Sequence, residues 1–162
     1  MYFVTFVTRN RSPWLRTDEA RMAMLVAMRN WHEEGEGVIL AATVMPDHVH
    51  VLFELGGRLD VGRCVSRWKT VARRECGYLG DWQRDFWERR VRDDESAEEY
   101  ALYILPNPHR AGLAKCGEAW AGWLMPTPDR FRFSSTLGPR GEPPEEWINW
   151  PAERFTGLAT GE

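Results

Sequence analysis

The sequence predicts an α+β fold, a split βαβ, ferredoxin-like antiparallel sheet with helices on one face, and three observations carry that expectation. Residues 48–55, HVHVLFEL, put Val49, Val51, Phe53 and Leu55 on one side of a strand and His48, His50 and Glu54 on the other. The stretches that follow Thr17 and Asp60 instead space their apolar side chains three and four apart, as helices do. The order then reads strand, helix, strand hairpin, helix, and a further strand and helix.

Each element has its own signals. Residues 2–8, YFVTFVT, are aromatic and β-branched, and Arg9-Asn10-Arg11-Ser12-Pro13 ends this first strand. Thr17 N-caps the first helix, with Asp18 and Glu19 at the positive end of its dipole. Ala20, Met24, Met28 (with Ala27) and Trp31 form its apolar stripe, read as core packing, and Gly35 and Gly37 close it. Residues 38–45 make a second strand, which Pro46-Asp47 turns into the strand at 48–55. After Gly56-Gly57 a second helix spans about 60–76, with Val61, Val65, Trp68 and Ala72 at core spacing and Arg63, Arg67 and Arg74 along another face. Residues 78–92 form a connection with a short strand at 86–91. Ser96-Ala97-Glu98-Glu99 is a capping box opening a third helix that carries Tyr100 and Tyr103. Pro106 lacks an amide hydrogen and disfavours helical angles at Leu105, so this helix should end over residues 102–104. The remainder, rich in Pro, Gly and Trp, shows no period from which its packing follows. The 162 residues fit one domain, residues 1–162, with a core over about 1–113 and an extension at 114–162.

Composition narrows the function classes. Hydrophobic residues at 43% and charged residues at 28% are globular values. Nine tryptophans are many; some belong to the core and others are suited to stacking on bases. Cys64, Cys76 and Cys116 lack CxxC spacing, which argues against a zinc cluster or a secreted disulfide scaffold and for buried thiols in a reducing compartment. No apolar stretch reaches membrane-spanning length, and the first strand starts at Tyr2, so no membrane partner and a cytoplasmic location are expected. The net charge is −3, yet residues 58–92 hold ten basic residues against five acidic ones, and Asp93, Asp94, Glu95, Glu98 and Glu99 then reverse the sign. Arg63, Arg67, Arg74, Lys69 and Arg73 are therefore candidates for binding phosphates.

His48 and His50, about 7 Å apart along one strand face, can converge on one divalent ion. A polar strand surface would show the same spacing, so the question is the third ligand. Tyr103 and Asn107 are one helical turn apart, which lets a phenol and a carboxamide present together. The Asn107 oxygen with two imidazoles makes a mixed N/O set suited to Mg²⁺ or Mn²⁺. Tyr103 would supply a nucleophile. A phenol with a pKa near 10 is a weak one, so a metal must activate the phosphodiester. Tyr100 is the rival tyrosine, Glu54 reads as a solvated carboxylate, and His109 as a surface residue.

Two segments, Met45-Pro46-Asp47-His48-Val49-His50 and Tyr103-Ile104-Leu105-Pro106-Asn107-Pro108-His109-Arg110-Ala111-Gly112-Leu113, resemble the paired signatures of the single-tyrosine HUH transposases. Among these the chain most resembles the REP-associated tyrosine transposases. Further similarity lies in the run from Trp82 through Phe86-Trp87-Glu88 to Asp94, in Tyr2-Phe3-Val4-Thr5-Phe6, and in Phe133-Ser134-Ser135 followed by Pro143 and Trp147, so it covers nearly the whole chain in order. The resemblance implies an HUH endonuclease fold, His48, His50 and Asn107 as metal ligands, and Tyr103 as nucleophile. It implies cleavage and rejoining of single-stranded DNA near hairpins of palindromic repeats, through a 5′-phosphotyrosine and a free 3′-hydroxyl. It leaves room for a homodimer. No ATP is required, in keeping with the lack of a GxxxxGK[ST] run. Two other readings are a non-catalytic nucleic-acid-binding regulator on the same sheet and a replication-initiator or relaxase-type HUH nuclease.

Overall fold

The computed structural model describes residues 1–77, 79–92, 95–155 and 157–158. Tyr78, at the start of the expected connection, and Asp93 and Asp94 of the acidic run lie outside the described residues, as do Thr156 and residues 159–162 of the extension. In chain order the elements are β1 (Tyr2–Val7), α1 (Asp18–Glu33), β2 (Gly37–Val44), β3 (His48–Leu55), α2 (Val61–Glu75), β4 (Trp87–Arg90), α3 (Ala97–Ile104), α4 (Asn107–Arg110), β5 (Trp123–Leu124) and α5 (Glu145–Ile148). The sheet order is β4-β1-β3-β2-β5 with every neighbouring pair antiparallel. Its first four strands have the split βαβ order that the sequence predicts, and β5 extends the edge beside β2.

The helix starts follow the expected chemistry. The Thr17 hydroxyl accepts from the Ala20 amide, the Asp60 carboxylate from Arg63, and the Ser96 hydroxyl from Glu99, each cap contributing about 1 kcal/mol. Gly35 takes φ +72° just past α1, a left-handed conformation that glycine adopts without strain. At Gly37 a side chain would collide with the Trp31 ring, so the start of β2 requires glycine there.

Helices α1 and α2 lie on one face of the sheet. Val4, Phe6, Val49, Val51 and Phe53 meet Met24, Met28, Trp31, Val65 and Trp68 there. Trp31, Trp68 and Phe53 pack edge to face with ring centroids 5.0–5.8 Å apart. The opposite face does not stay open. Phe3, Leu40, Ala41 and Leu52 receive α3 through Tyr100, Ala101, Tyr103 and Ile104. A register shift between Ile39 and Ala41 turns both Leu40 and Ala41 to this side. Helices therefore cover both faces, two on one and the tyrosine-bearing helix on the other. The extension packs onto the second face as well, where Phe131, Phe133, Trp147 and Phe155 are buried against α3. Cys64 and Cys76 are buried free thiols, but Cys116 is exposed, because it sits in the glycine-flanked turn after α4 rather than in a packed element. Among the described residues no helix is long and apolar enough to cross a membrane.

Candidate active site

Strand register builds the histidine pair. β3 is the central strand, and His50 faces Thr5 of β1 on one side and Thr43 of β2 on the other. That pairing places the Thr5 hydroxyl 2.9 Å from His50 Nδ1, in a buried position. His48, two residues earlier on the same face, donates Nδ1–H to Asp47 Oδ1 at 2.7 Å. The two imidazole centroids are 4.7 Å apart with their planes at 76°. Each Nδ1 is thus engaged by a protein group, which fixes the plane of each ring.

Asp47 is itself held. Burial pushes its carboxyl up, but the hydrogen bond and charge of His48, then those of Arg11, outweigh burial and leave it below the ordinary carboxylate value. Arg11 Nη1 lies 3.2 Å from Asp47 Oδ2. The turn that delivers Arg11 runs through two consecutive left-handed non-glycine residues, Asn10 at φ 54° and Arg11 at φ 51°, a strained conformation that costs on the order of 1 kcal/mol or more per residue. Sequence reading passed over Thr5, Asp47 and Arg11 as site residues. The signal for Thr5 was its place in β1, the strand that pairs with β3, where antiparallel register sets it opposite His50.

α3 brings Tyr103 over the pair. Its ring centroid is 5.7 Å from that of His50 and 6.2 Å from Phe3. Phe155, in the turn Ala152–Phe155, stacks edge to face on Tyr103 at 5.6 Å, and the tyrosine is buried. Arg110, one turn into α4, lies over the same Phe155 ring at 4.9 Å. Burial lowers the Arg110 pKa, while the Tyr103 phenol beside it pulls the other way, so this cation is in electrostatic reach of the tyrosine oxygen. The rival Tyr100 is fully buried and donates to Glu95 at 3.3 Å; burial and then the Glu95 charge push its pKa up. It is a core residue.

Asn107 opens α4 directly after Pro106. Leu105 keeps helical angles, φ −65° and ψ −43°, contrary to the expectation from the following proline. Its amide bonds the Ala101 carbonyl and its side chain is fully buried, and this tertiary packing outweighs the local preference. The Asn107 carboxamide nitrogen is buried without a hydrogen-bond partner among the described residues. Amide oxygen and nitrogen are exchangeable assignments, so the polar end of this side chain is one unsatisfied group on α4, beside His109 Nδ1 and Arg110 Nε. Among the described residues no three His, Cys, Asp or Glu side chains cluster. Two imidazoles alone do not suit a hard divalent ion, so an oxygen donor such as an amide would have to complete the set.

Other candidates fall elsewhere. Arg63 pairs with Asp60 at 3.6 Å, Arg67 with Glu34 at 2.5 Å, Arg74 with Glu75 at 2.8 Å and Arg73 with Asp81 at 3.5 Å. All four sit on α2, across the sheet from the histidines. Lys69 is buried, donating to the Gln83 carbonyl at 2.9 Å beneath the rings of Phe6, Trp82 and Phe86, and burial lowers its pKa to about 8 against the opposing pull of Asp85. Its position beside the Trp68 stripe carries it inward, so it presents no charge on the helix surface. Glu54 pairs with Arg130 at 2.8 Å. His109 is buried rather than on the surface, because its Nε2 donates to the Glu118 carbonyl at 2.8 Å and ties α4 to the following turn.

A histidine pair thus sits on the central strand of the sheet with a tyrosine helix laid over it, and comparison with known families places the chain among transposases. The chain belongs to the family described as Transposase IS200 like, which matches residues 1–98. That span holds His48 and His50 and stops before Tyr103 and Asn107. A protein of Haemophilus influenzae named as a REP-associated tyrosine transposase is 27% identical over 138 residues, 74% of this chain and 76% of the relative. A solved structure of a REP-associated tyrosine transposase bound to a REP hairpin superposes with a TM-score of 0.67 at 26% identity, covering 99% of this chain and 90% of that one.

Proposed function

We propose that this transposase cleaves and rejoins single-stranded DNA beside repeat hairpins through a covalent 5′-phosphotyrosine at Tyr103. The observation that carries the reading is the seating of the Tyr103 ring 5.7 Å from His50, itself paired with His48 at 4.7 Å. The hairpin partner is proposed from the structural relative, whose own ligand is a REP hairpin.

His48, His50 and Asn107 would hold Mg²⁺ or Mn²⁺, which when bound polarises the scissile phosphodiester and neutralises its oxygens. The chain's own residues do the rest. Asp47 and Thr5 fix the histidine tautomers and ring planes. Tyr103 attacks phosphorus, so its oxygen gains a bond to phosphorus as the bond to the 3′ oxygen breaks, and the proton lost by the phenol is balanced by one gained at the 3′-hydroxyl. Arg110 supports the phenolate that forms. Phe155 must move aside for a strand to reach the phenol, since both His50 and Tyr103 are buried. Attack by a 3′-hydroxyl on the phosphotyrosine reverses the step and joins strands. Arg63 and Arg74, exposed on α2, are left as secondary contacts to the DNA backbone. Detection of a protein–DNA adduct on Tyr103 tests this reading.

A further inference from the structure

Three concavities adjoin one another where the chain crosses the edge of β1. β4 covers β1 only as far as the Thr5–Trp87 pair, and beyond it residues 82–86 return with a single bridge from Trp82 to Thr8. The first concavity, about 300 Å³, runs from Thr5 past Arg11 and Gln83 to Trp87. The second, about 430 Å³, lies between the Arg9–Arg11 turn and Gln83-Arg84. The third, about 280 Å³, lies between α2 and Phe86, with Lys69 and Arg73 in its wall. Gln83 lines all three, so they form one groove.

We propose that this groove carries the single strand of DNA leading to the scissile phosphate, with phosphates on Arg9 and Arg84 and bases against Phe86 and Trp87. The proposal rests on the reading of the histidine and tyrosine site as a DNA-cleaving one. One end of the groove adjoins that site, through Thr5, which meets His50, and Arg11, which bonds Asp47, while the concavity against α2 lies around the sheet edge from it. Its charge favours a polyanion. Arg9 and Arg73 share one carboxylate, Asp81, at 3.3 and 3.5 Å, and Arg84 is exposed with no ion pair among the described residues. Asp85 is the other acid in the wall. Each concavity is at the lower end of small-ligand size, about 300 Å³ and upward, which admits nucleotides one at a time and not a duplex. Phe86, with Lys69 over one side of its ring, and Trp87, packed edge to face on Phe3, are half-buried in this wall, and stacking on an aromatic ring tolerates any base. Lys69 pins the Gln83 carbonyl at the point where the three parts meet.

The test compares two arginine pairs that remove equal charge. Arg9→Gln with Arg84→Gln, and separately Arg63→Gln with Arg74→Gln, are titrated against a single-stranded oligothymidylate over a range of salt. The groove pair should flatten the log–log salt dependence by about 1.4, at about 0.7 per lost phosphate contact on a single strand, and the α2 pair by much less. An oligonucleotide carrying 5-iododeoxyuridine should photocrosslink to Phe86 or Trp87. An unchanged slope in the groove pair, or crosslinks confined to α2, overturns the proposal. Wild-type chain that forms the tyrosine adduct while the groove pair keeps its slope sinks the groove alone; a flattened slope without any adduct in wild type keeps the groove and sinks the catalytic reading.

Discussion

The face of the sheet under α1 and α2 and the face under α3 are drawn from alternate residues of the same strands, yet they bury different chemistry. Under α1 and α2 the contacts are Trp31, Trp68, Phe53 and their aliphatic neighbours, and even the indole N–H groups of Trp31 and Trp68 find no acceptor among the described residues. Under α3, at the same depth, lie His50, Thr5 and Tyr103. One face supplies stability through apolar area, and the other spends part of its area on groups whose geometry is fixed by ladder register. The difference teaches that His50, buried in the central strand, is positioned by its cross-strand partner Thr5, and that nearness in sequence does not put a residue on the same face.

The largest expected contrast comes from one truncation on each face. His50→Ala should reduce DNA cleavage by about a hundred-fold or more, because a ligand position is lost, while the protein stays folded. Trp68→Ala should cost about 3–5 kcal/mol of unfolding free energy, read by denaturant titration, and leave the divalent-ion affinity of the folded fraction unchanged. Equal loss of stability in both variants would erase the distinction between the faces.

Thr5→Val sharpens the same comparison, since it keeps the shape and removes only the hydroxyl that meets His50 Nδ1. Mn²⁺ affinity, measured by calorimetry, should fall about ten-fold to a hundred-fold. An unaltered affinity would show that register places His50 without help from Thr5.

A smaller effect tests the edge of the core under α2. Lys69 titrates at about 8 in the fold against 10.5 in the unfolded chain. Between those values the unfolded chain holds the proton and the folded chain has lost it, so folding stability should rise with pH across that window. Below about 8 both states are protonated, so the cost of burying the charge is present in full and stability no longer changes with pH through this group. Denaturant midpoints at about pH 7.5 and about pH 9.5, compared with those of Lys69→Met, should show the rise only in wild type.

Much of the frame was legible in the sequence, and the reasons are local. The alternation at His48 to Leu55, the caps Thr17 and Ser96, and the stripe Val61, Val65, Trp68 and Ala72 each follow from backbone periodicity or a single hydrogen bond, and each element forms where expected. The side on which α2 lies was also implicit, because Val49, Val51 and Phe53 must be covered by the apolar stripe; the arginines of α2 therefore face away from the histidines. What was not legible depends on distant partners. The Lys69 cage needs Trp82 and Phe86, the placement of Leu105 needs a core made by the extension, and the aromatic extension itself has no period to betray the face it covers.

The most direct measurement is the covalent intermediate. Wild-type chain incubated with Mg²⁺ and a single strand bearing a palindromic-repeat hairpin should yield a protein band shifted by the attached DNA, and peptide mapping should place the ester on Tyr103. Tyr103→Phe should reduce this adduct by about a thousand-fold or more while leaving DNA binding nearly intact, and Tyr100→Phe should retain it. An adduct on Tyr100, or cleavage that survives in Tyr103→Phe, would contradict the assignment of the nucleophile.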